Sequence, residues 1–282
     1  MKLKQADIPF AIDVDAVNRG PFPINGFLPL METDFGNGDY YGLYWPLGRE
    51  NKTPIVCELY HDEGRVCPAF SNLTKLTQWL EANDNDVEEI MIDDPQFAGA
   101  LFLQAQKARR EGRLDDAIHY CQLANEALPE VSEYWLTLAS LYQQTKQPAL
   151  AASAGLNSYL SNWGFGLPND KVIYFLKLAS TLPEYCSDPV VKRVALGSLN
   201  LNFGGMKINH NYDLMKECID EYFKKNEILS ALKLSQNYAI AMYAETYTFQ
   251  ERYHFSITQW QNDFSELCLT YLGNSRTTIT LR

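Results

Sequence analysis

The sequence has no long apolar run and no paired cysteine motif. These two absences limit the classes of protein to which the chain can belong. No stretch approaches the roughly 18 apolar residues of a membrane span. The first residues contain two lysines with no apolar run behind them, which argues against a signal peptide. The six cysteines form no Cys-x-x-Cys pair and have no histidine at zinc-finger spacing. We therefore expect free thiols in a reducing compartment and a soluble, cytoplasmic protein that does not engage a membrane.

Recognisable catalytic motifs are also missing. The sequence contains no GxSxG nucleophile elbow and no GxGxxG or GxxxxGK[ST] phosphate loop. The cluster His61, Asp62 and Glu63 is the only one that suggests acid–base or metal chemistry. Neighbouring strand residues point to opposite faces, so we interpret this cluster as a strand end and turn. We predict a protein that is not an enzyme, with no catalytic residue, metal site or cofactor; an enzyme using these three side chains is the least favoured alternative.

Negative charge is concentrated in the first third of the chain. Residues 1–95 contain 7 Lys or Arg and 17 Asp or Glu, whereas the other 187 residues contain 17 and 18. The net charges of these parts are −10 and −1, within a total of −11. An acidic surface repels phosphate backbones, so a nucleic-acid ligand is disfavoured and a basic protein partner is favoured. Acidity that serves only solubility is an equally good explanation.

Residues 1–82 have the pattern of a small α+β domain, an antiparallel sheet with one helix. Glycine and proline bound two predicted strands at 39–45 and 54–61, and a turn at 62–64 leads to a short third strand at 65–67. Ser71 is the predicted N-cap of a helix. Its sheet-facing side is expected to carry Leu73, Leu76 and Leu80.

Alternation along the first predicted strand separates a core face from candidate contact residues. Tyr41, Leu43 and Trp45 share the face assigned to the core, which leaves Tyr40 and Tyr44 as interface anchors. We expect a partner-binding surface that combines these two tyrosines with polar residues of the strands and turn. The full candidate set is Asp39, Tyr40, Tyr44, Glu58, Tyr60, His61, Asp62 and Glu63.

An acidic linker is predicted at 83–95, followed by a helical repeat domain at 96–282. Residues 81–94 contain seven acidic side chains and no basic one. Beyond them, a self-comparison at an offset of 34 residues aligns 98–131 with 132–165. Gly112 and Pro129 are placed to end the two helices of the first unit. Small residues that let paired helices approach closely are Ala105, Ala117 and Ala124.

These two units resemble tetratricopeptide repeats, and a degenerate third copy is predicted at 212–245. The second unit departs from the family pattern at Lys146, where the family has glycine, and at Trp163, where it has proline. The resemblance implies a groove lined by the first helices. Its candidate residues are Leu101, Phe102 and Gln106, which do not supply the carboxylate clamp of some family members. Further helices are expected at 170–181, after the Asp188–Pro189 cap, and at 250–272 as a terminal cap.

The stretch from residue 37 to residue 80 resembles the SUKH superfamily. The resemblance rests on Gly38-Asp39 followed by aromatic residues, the apolar strand at 54–60, the turn at 61–64 and the helix after Ser71, and it covers about residues 25–82. Many SUKH proteins are bacterial immunity proteins, so the resemblance implies neutralisation of a partner toxin or effector, such as a basic nuclease, by direct contact. The alternative is a tetratricopeptide adaptor or scaffold that binds a peptide or partner protein, with the first domain as an accessory.

Overall fold

The computed structural model describes residues 2–3, 24–33, 38–83, 92–273 and 280–281. Strand β1 (Lys2–Leu3) pairs in parallel with β6 (Thr280–Leu281). The main sheet is antiparallel, with strands in chain order. Its members are β2 (Phe27–Glu32), β3 (Tyr40–Tyr44), β4 (Ile55–Tyr60) and β5 (Arg65–Phe70). The predicted antiparallel α+β unit is confirmed.

Strands β3 and β4 lie within the predicted ranges, whereas the other two differ from the prediction. β5 continues through Phe70, three residues beyond the predicted end. β2 was not predicted, because Pro29 interrupts an apolar run that does not alternate. β2 is an edge strand of the sheet, where proline is tolerated because one side of the backbone needs no ladder partner.

Helix α1 (Leu73–Asn83) covers one face of the sheet. Leu76 is fully buried, and Leu73 and Leu80 pack beside it, as predicted. The predicted N-cap at Ser71 is wrong by one residue: Asn72 Oδ1 accepts the hydrogen bond from the Lys75 backbone N–H at 3.1 Å. The Ser71 N–H instead donates to Asp94 Oδ2 at 2.8 Å.

The hydrogen bond from Ser71 to Asp94 holds the end of the predicted acidic linker against the first domain. Asp94 is buried, and Lys75 Nζ donates to the carbonyl oxygen of Asp93 at 2.6 Å. Residues 84–91 of the linker lie outside the described residues. The part that follows them is therefore fastened to α1, and Asp94 does not lie in the exposed connection that the composition predicted.

Within the described residues, ten further helices follow, with one 3-10 turn at Trp163–Phe165. They are α2 (Ala98–Arg110), α3 (Leu114–Ala127), α4 (Ser132–Gln144), α5 (Pro148–Leu160), α6 (Lys171–Ala179), α7 (Pro189–Ala195), α8 (His210–Lys224), α9 (Ile228–Tyr243), α10 (Tyr247–Arg252) and α11 (Ile257–Leu272). Within the described ranges, none of these helices has the length and apolar character needed to cross a membrane.

The helices pair as hairpins where the sequence repeats. α2 packs on α3, α4 on α5, and α8 on α9. The first two hairpins start 34 residues apart, at Ala98 and Ser132, as the self-comparison predicted. Each small residue singled out in the first hairpin, Ala105, Ala117 and Ala124, is fully buried. The predicted period therefore corresponds to real helical pairs.

The later helices agree with the sequence in part. Asp188 Oδ1 accepts from the N–H groups of Val190 and Val191 at 2.9 Å, which confirms the predicted cap of α7. The single helix predicted at 250–272 is wrong. The chain breaks between α10 and α11, where His254 has a φ of 50° and Ser256 starts a new cap.

The three hairpins share one turn geometry after their first helices. Gly112, Lys146 and Asn226 occupy equivalent positions with φ values of 75°, 58° and 61°. In each hairpin, the backbone N–H of the residue after this position donates to a carbonyl oxygen in the last turns of the first helix. In the second hairpin the bond runs from the Gln147 N–H to the Tyr142 carbonyl at 2.8 Å. This left-handed position favours glycine and tolerates asparagine, but a lysine there is strained.

We expect Lys146→Gly to raise the free energy of unfolding by about 1 kcal/mol, because glycine removes that strain. Urea unfolding followed by circular dichroism measures the change. The matched control is Gly112→Ala, which should destabilise by a similar amount because it introduces the same strain into the first hairpin. A neutral or destabilising Lys146→Gly would contradict the shared turn.

Candidate functional site

The turn after β4 brings together three of the predicted site residues. The Asp39 Oδ1 atom accepts from the His61 backbone N–H at 2.8 Å and lies 3.1 Å from His61 Nδ1. His61 Nε2 is 2.8 Å from Asp62 Oδ1. The imidazole thus lies between two carboxylates, one on each ring nitrogen. His61 belongs to the turn rather than the strand, which is why the argument from strand alternation did not predict this contact.

This arrangement orients the histidine but does not form a chelate. The two ring nitrogens point in different directions, so Asp39 and Asp62 contact opposite sides of the ring. Asp39 is buried, whereas the Asp62 side chain is 87% exposed. Across the described part of the chain, no group of three or more His, Cys, Asp or Glu side chains is arranged to hold a metal ion.

Glu58 and Tyr60 are half-buried and bonded to each other. The Tyr60 hydroxyl donates to Glu58 Oε2 at 2.9 Å. Burial is the main cause that raises the pKa of Glu58, and burial and the bond to Glu58 raise the pKa of Tyr60. These two residues are therefore poorer partner contacts than the fully exposed acidic side chain of Asp62.

The placement of Tyr40 and Tyr44 on an exposed face is wrong. Both are buried, and they belong to the core that the second face of the sheet forms with the helices. The ring of Tyr44 packs edge-on to Phe165, with centroids 5.1 Å apart. The alternation was correctly assigned, but helices cover both faces of the sheet, so these tyrosines join the two halves of the chain.

A buried polar cluster, which sequence reasoning missed, fixes this junction. The Tyr44 hydroxyl donates to Glu130 Oε2 at 2.5 Å and accepts from Asn162 Nδ2 at 2.9 Å. The Leu47 N–H donates to Glu130 Oε1 at 3.3 Å. Burial lowers the pKa of the nearby Lys233, and the charge of Glu130 opposes that effect. We call Tyr44, Glu130 and Asn162 the junction cluster.

The first of two neighbouring cavities is bordered by α2 and α4, the first helices of two hairpins, and by α6. Its volume is about 430 Å³, and α2, α4 and α6 contribute Arg109, Glu133 and Lys171 to its walls. Lys171 Nζ donates to Ser140 Oγ at 3.1 Å. Leu167, in the segment that leads into α6, also lines this cavity.

The second cavity lies between the turn of the sheet and the helices. Its volume is about 330 Å³, and it is lined by Arg65 from the sheet, Trp163 and Leu167 from the connecting segment, and Phe203 and Ile240 from later in the chain. Leu167 borders both cavities and is 60% exposed. We call the two cavities and the leucine between them the Leu167 groove.

The groove does not include the repeat residues predicted for it. Phe102 is buried with its ring centroid 4.4 Å from that of Tyr134, so its assignment to an open groove is wrong. Leu101 is half-buried against the core, and Gln106 is half-buried outside both cavities. The cavity wall begins one turn further along α2, at Arg109. The groove residues were predicted from the positions that other repeat proteins use, and those positions lie one turn before the cavity wall of this protein.

The cysteines are free, as predicted, and four of the six are buried. Burial raises the pKa of both the Cys121 and Cys218 thiols to about 12. Burial also raises the pKa of Cys57 and Cys67. A raised pKa keeps a thiol protonated at neutral pH, so these four side chains are suited to packing rather than to nucleophilic attack.

The geometry defines a class of protein in which a four-stranded antiparallel sheet packs on a succession of helical hairpins. By sequence, the chain belongs to the YfbP family: residues 12–89 match the YfbP N-terminal domain and residues 202–280 match the YfbP C-terminal domain. It is 50% identical over 282 residues to Uncharacterized protein YfbP of Escherichia coli (strain K12), across 99% of this chain and 100% of that protein. The hairpins α2–α3 and α4–α5 lie between the two matched ranges.

Proposed function

We propose that the protein is a non-enzymatic binding protein that holds a partner protein in the Leu167 groove. In this proposal the hairpins act as a tetratricopeptide-like array, and the SUKH-like sheet supplies one wall of the second cavity. The observation that carries the proposal is that two cavities of about 430 and 330 Å³ meet at one leucine that is 60% exposed. A partner side chain that enters a cavity beside an apolar residue is desolvated, which is how the strongest contacts of an interface gain their energy.

The shape of the groove favours a protein segment over a compact small molecule. Its walls come from the turn after β4, from α2, α4 and α6, and from the end of α9, so an occupant that spans both cavities touches both halves of the chain. The junction cluster fixes these halves against each other by hydrogen bonds. A preformed groove lowers the entropy that binding costs.

The test of this proposal compares the wild-type full-length protein with two substitutions. The tagged wild-type chain is used to purify partners from cells of its source organism, beside Leu167→Asp and the matched control Leu196→Asp, an off-groove leucine that is 74% exposed. We expect Leu196→Asp to retain the partner bound by the wild type, and Leu167→Asp to lose it. Equal recovery by all three proteins contradicts the proposal.

A second candidate function is neutralisation of a toxin or effector through the acidic turn. The exposed carboxylate of Asp62 and the charge of −10 in residues 1–95 favour a basic partner there, as the SUKH resemblance implies. In the same purification, a partner lost from Asp62→Arg but kept by Leu167→Asp supports this alternative. If that partner is toxic alone, co-expression with the wild type should restore growth.

A further inference from the structure

Three basic side chains line the Leu167 groove, and the inference drawn from them rests on the proposed function. Arg109 forms no salt bridge within the described residues, and neither do Lys171 and Arg65. Arg109 and Lys171 face the first cavity, and Arg65 faces the second. In a chain of net charge −11, the first cavity has two cations and one carboxylate in its wall, which is a local reversal of sign.

The excess of positive charge is confined to the first cavity. Glu133 is the acidic residue of the first cavity, opposite two cations. In the second cavity, Glu245 Oε1 already accepts from the Tyr212 hydroxyl at 2.8 Å and the Gly204 N–H at 2.9 Å. Glu63 is exposed on the rim. Arg65 therefore shares its cavity with two carboxylates, and the excess of positive charge lies at Arg109 and Lys171.

The second cavity offers a different chemistry. The large apolar side chains in its wall are Trp163, Leu167, Phe203 and Ile240, and the Trp163 and Phe203 rings pack with centroids 5.2 Å apart. Burial of an apolar side chain here supplies binding energy that an exposed ion pair does not.

We propose that the occupant of the Leu167 groove is an extended protein segment that carries an acidic side chain beside a large apolar one. The acidic group pairs with Arg109 and Lys171, and the apolar side chain fills the second cavity next to Leu167. Charge complementarity at the first cavity and the aromatic wall of the second select this chemistry over a basic segment. The binding step is non-covalent and needs no cofactor.

The test uses a random peptide library displayed on phage and selected on the full-length protein, with Leu167→Asp as the counter-selection. We expect the recovered peptides to share an Asp or Glu close to a Leu, Ile, Phe or Trp. A fluorescent peptide of the consensus sequence should bind the Arg109→Glu/Lys171→Glu variant about tenfold or more weakly than the wild type. Lys177→Glu, an exposed lysine on α6 outside the groove, is the matched control and should change binding less than about twofold.

A charge exchange separates lost contacts from a damaged fold. The same peptide with its acidic residue replaced by lysine should bind the Arg109→Glu/Lys171→Glu variant more tightly than it binds the wild type. Recovery of basic or uncharged peptides that depend on Leu167 overturns the acidic partner and leaves the groove as the binding site. Failure to recover any peptide that depends on Leu167 overturns both this inference and the proposed function.

Discussion

Replacing Glu130 with alanine is expected to lower the free energy of unfolding by about 3–5 kcal/mol, because it removes the only carboxylate of the junction cluster. Glu130 is 2% exposed and accepts from Tyr44 in the sheet and from the Leu47 N–H in the loop that follows. Without it, the Tyr44 hydroxyl and the Leu47 N–H both lose their carboxylate acceptor in a buried site. Each unsatisfied buried donor costs about 1–3 kcal/mol. Lys233 also loses the negative charge that opposes the effect of its burial.

Denaturant unfolding followed by circular dichroism measures this effect, with Glu126→Ala as the matched control. Glu126 lies four residues earlier with its side chain exposed, so its removal should change the stability by less than about 0.5 kcal/mol. Tyr44→Phe should give an intermediate loss of about 1.5–3 kcal/mol, because Glu130 then lacks its hydroxyl donor. If Glu130→Ala unfolds at the same denaturant concentration as Glu126→Ala, the cluster does not hold the two halves together.

The wrong prediction that Tyr44 is exposed shows which step of the sequence analysis failed. Alternation correctly separated the two faces of β3, but one face was assumed to be open to solvent. Cys57 and Leu59 of β4 lie on the same face as Tyr44 and are also apolar and buried. Apolar residues on both faces of neighbouring strands indicate a sheet covered on both sides. That signal was present in the sequence and predicts burial of the tyrosines.

Other features could not be predicted in this way. The hairpins were predictable because their signals are local: small residues at helix contacts and a turn position that recurs after 34 residues, at Gly112 and Lys146. Glu130 and Tyr44 are 86 residues apart, and no local pattern links them. The Leu167 groove likewise depends on how the segment before α6 lies against the sheet, which is decided by tertiary packing.

Gly155 marks a second contact between elements, and Gly155→Ala is expected to destabilise the protein by about 2–3 kcal/mol. A Cβ atom on this residue of α5 would lie 2.3 Å from the Cβ atom of Phe175 in α6. A side-chain rotation cannot relieve a clash between two Cβ atoms, so the helices must separate. The gain in helix propensity from alanine, about 1 kcal/mol, offsets only part of this cost. The equivalent position in the first hairpin is Cys121, which shows that the repeat itself tolerates a side chain there.

The decisive comparison adds Phe175→Ala to Gly155→Ala and measures unfolding of both single variants and the double variant. Phe175→Ala alone should cost about 3–5 kcal/mol because the ring is fully buried. Phe175→Ala removes the ring but leaves the Cβ atom of residue 175 in place. The double variant should therefore regain none of the stability that Gly155→Ala removes. Because α6 carries Lys171, its displacement should also weaken binding of the acidic peptide to the Leu167 groove. Restored stability in the double variant would place the clash at the ring, and α6 would then keep its position against α5.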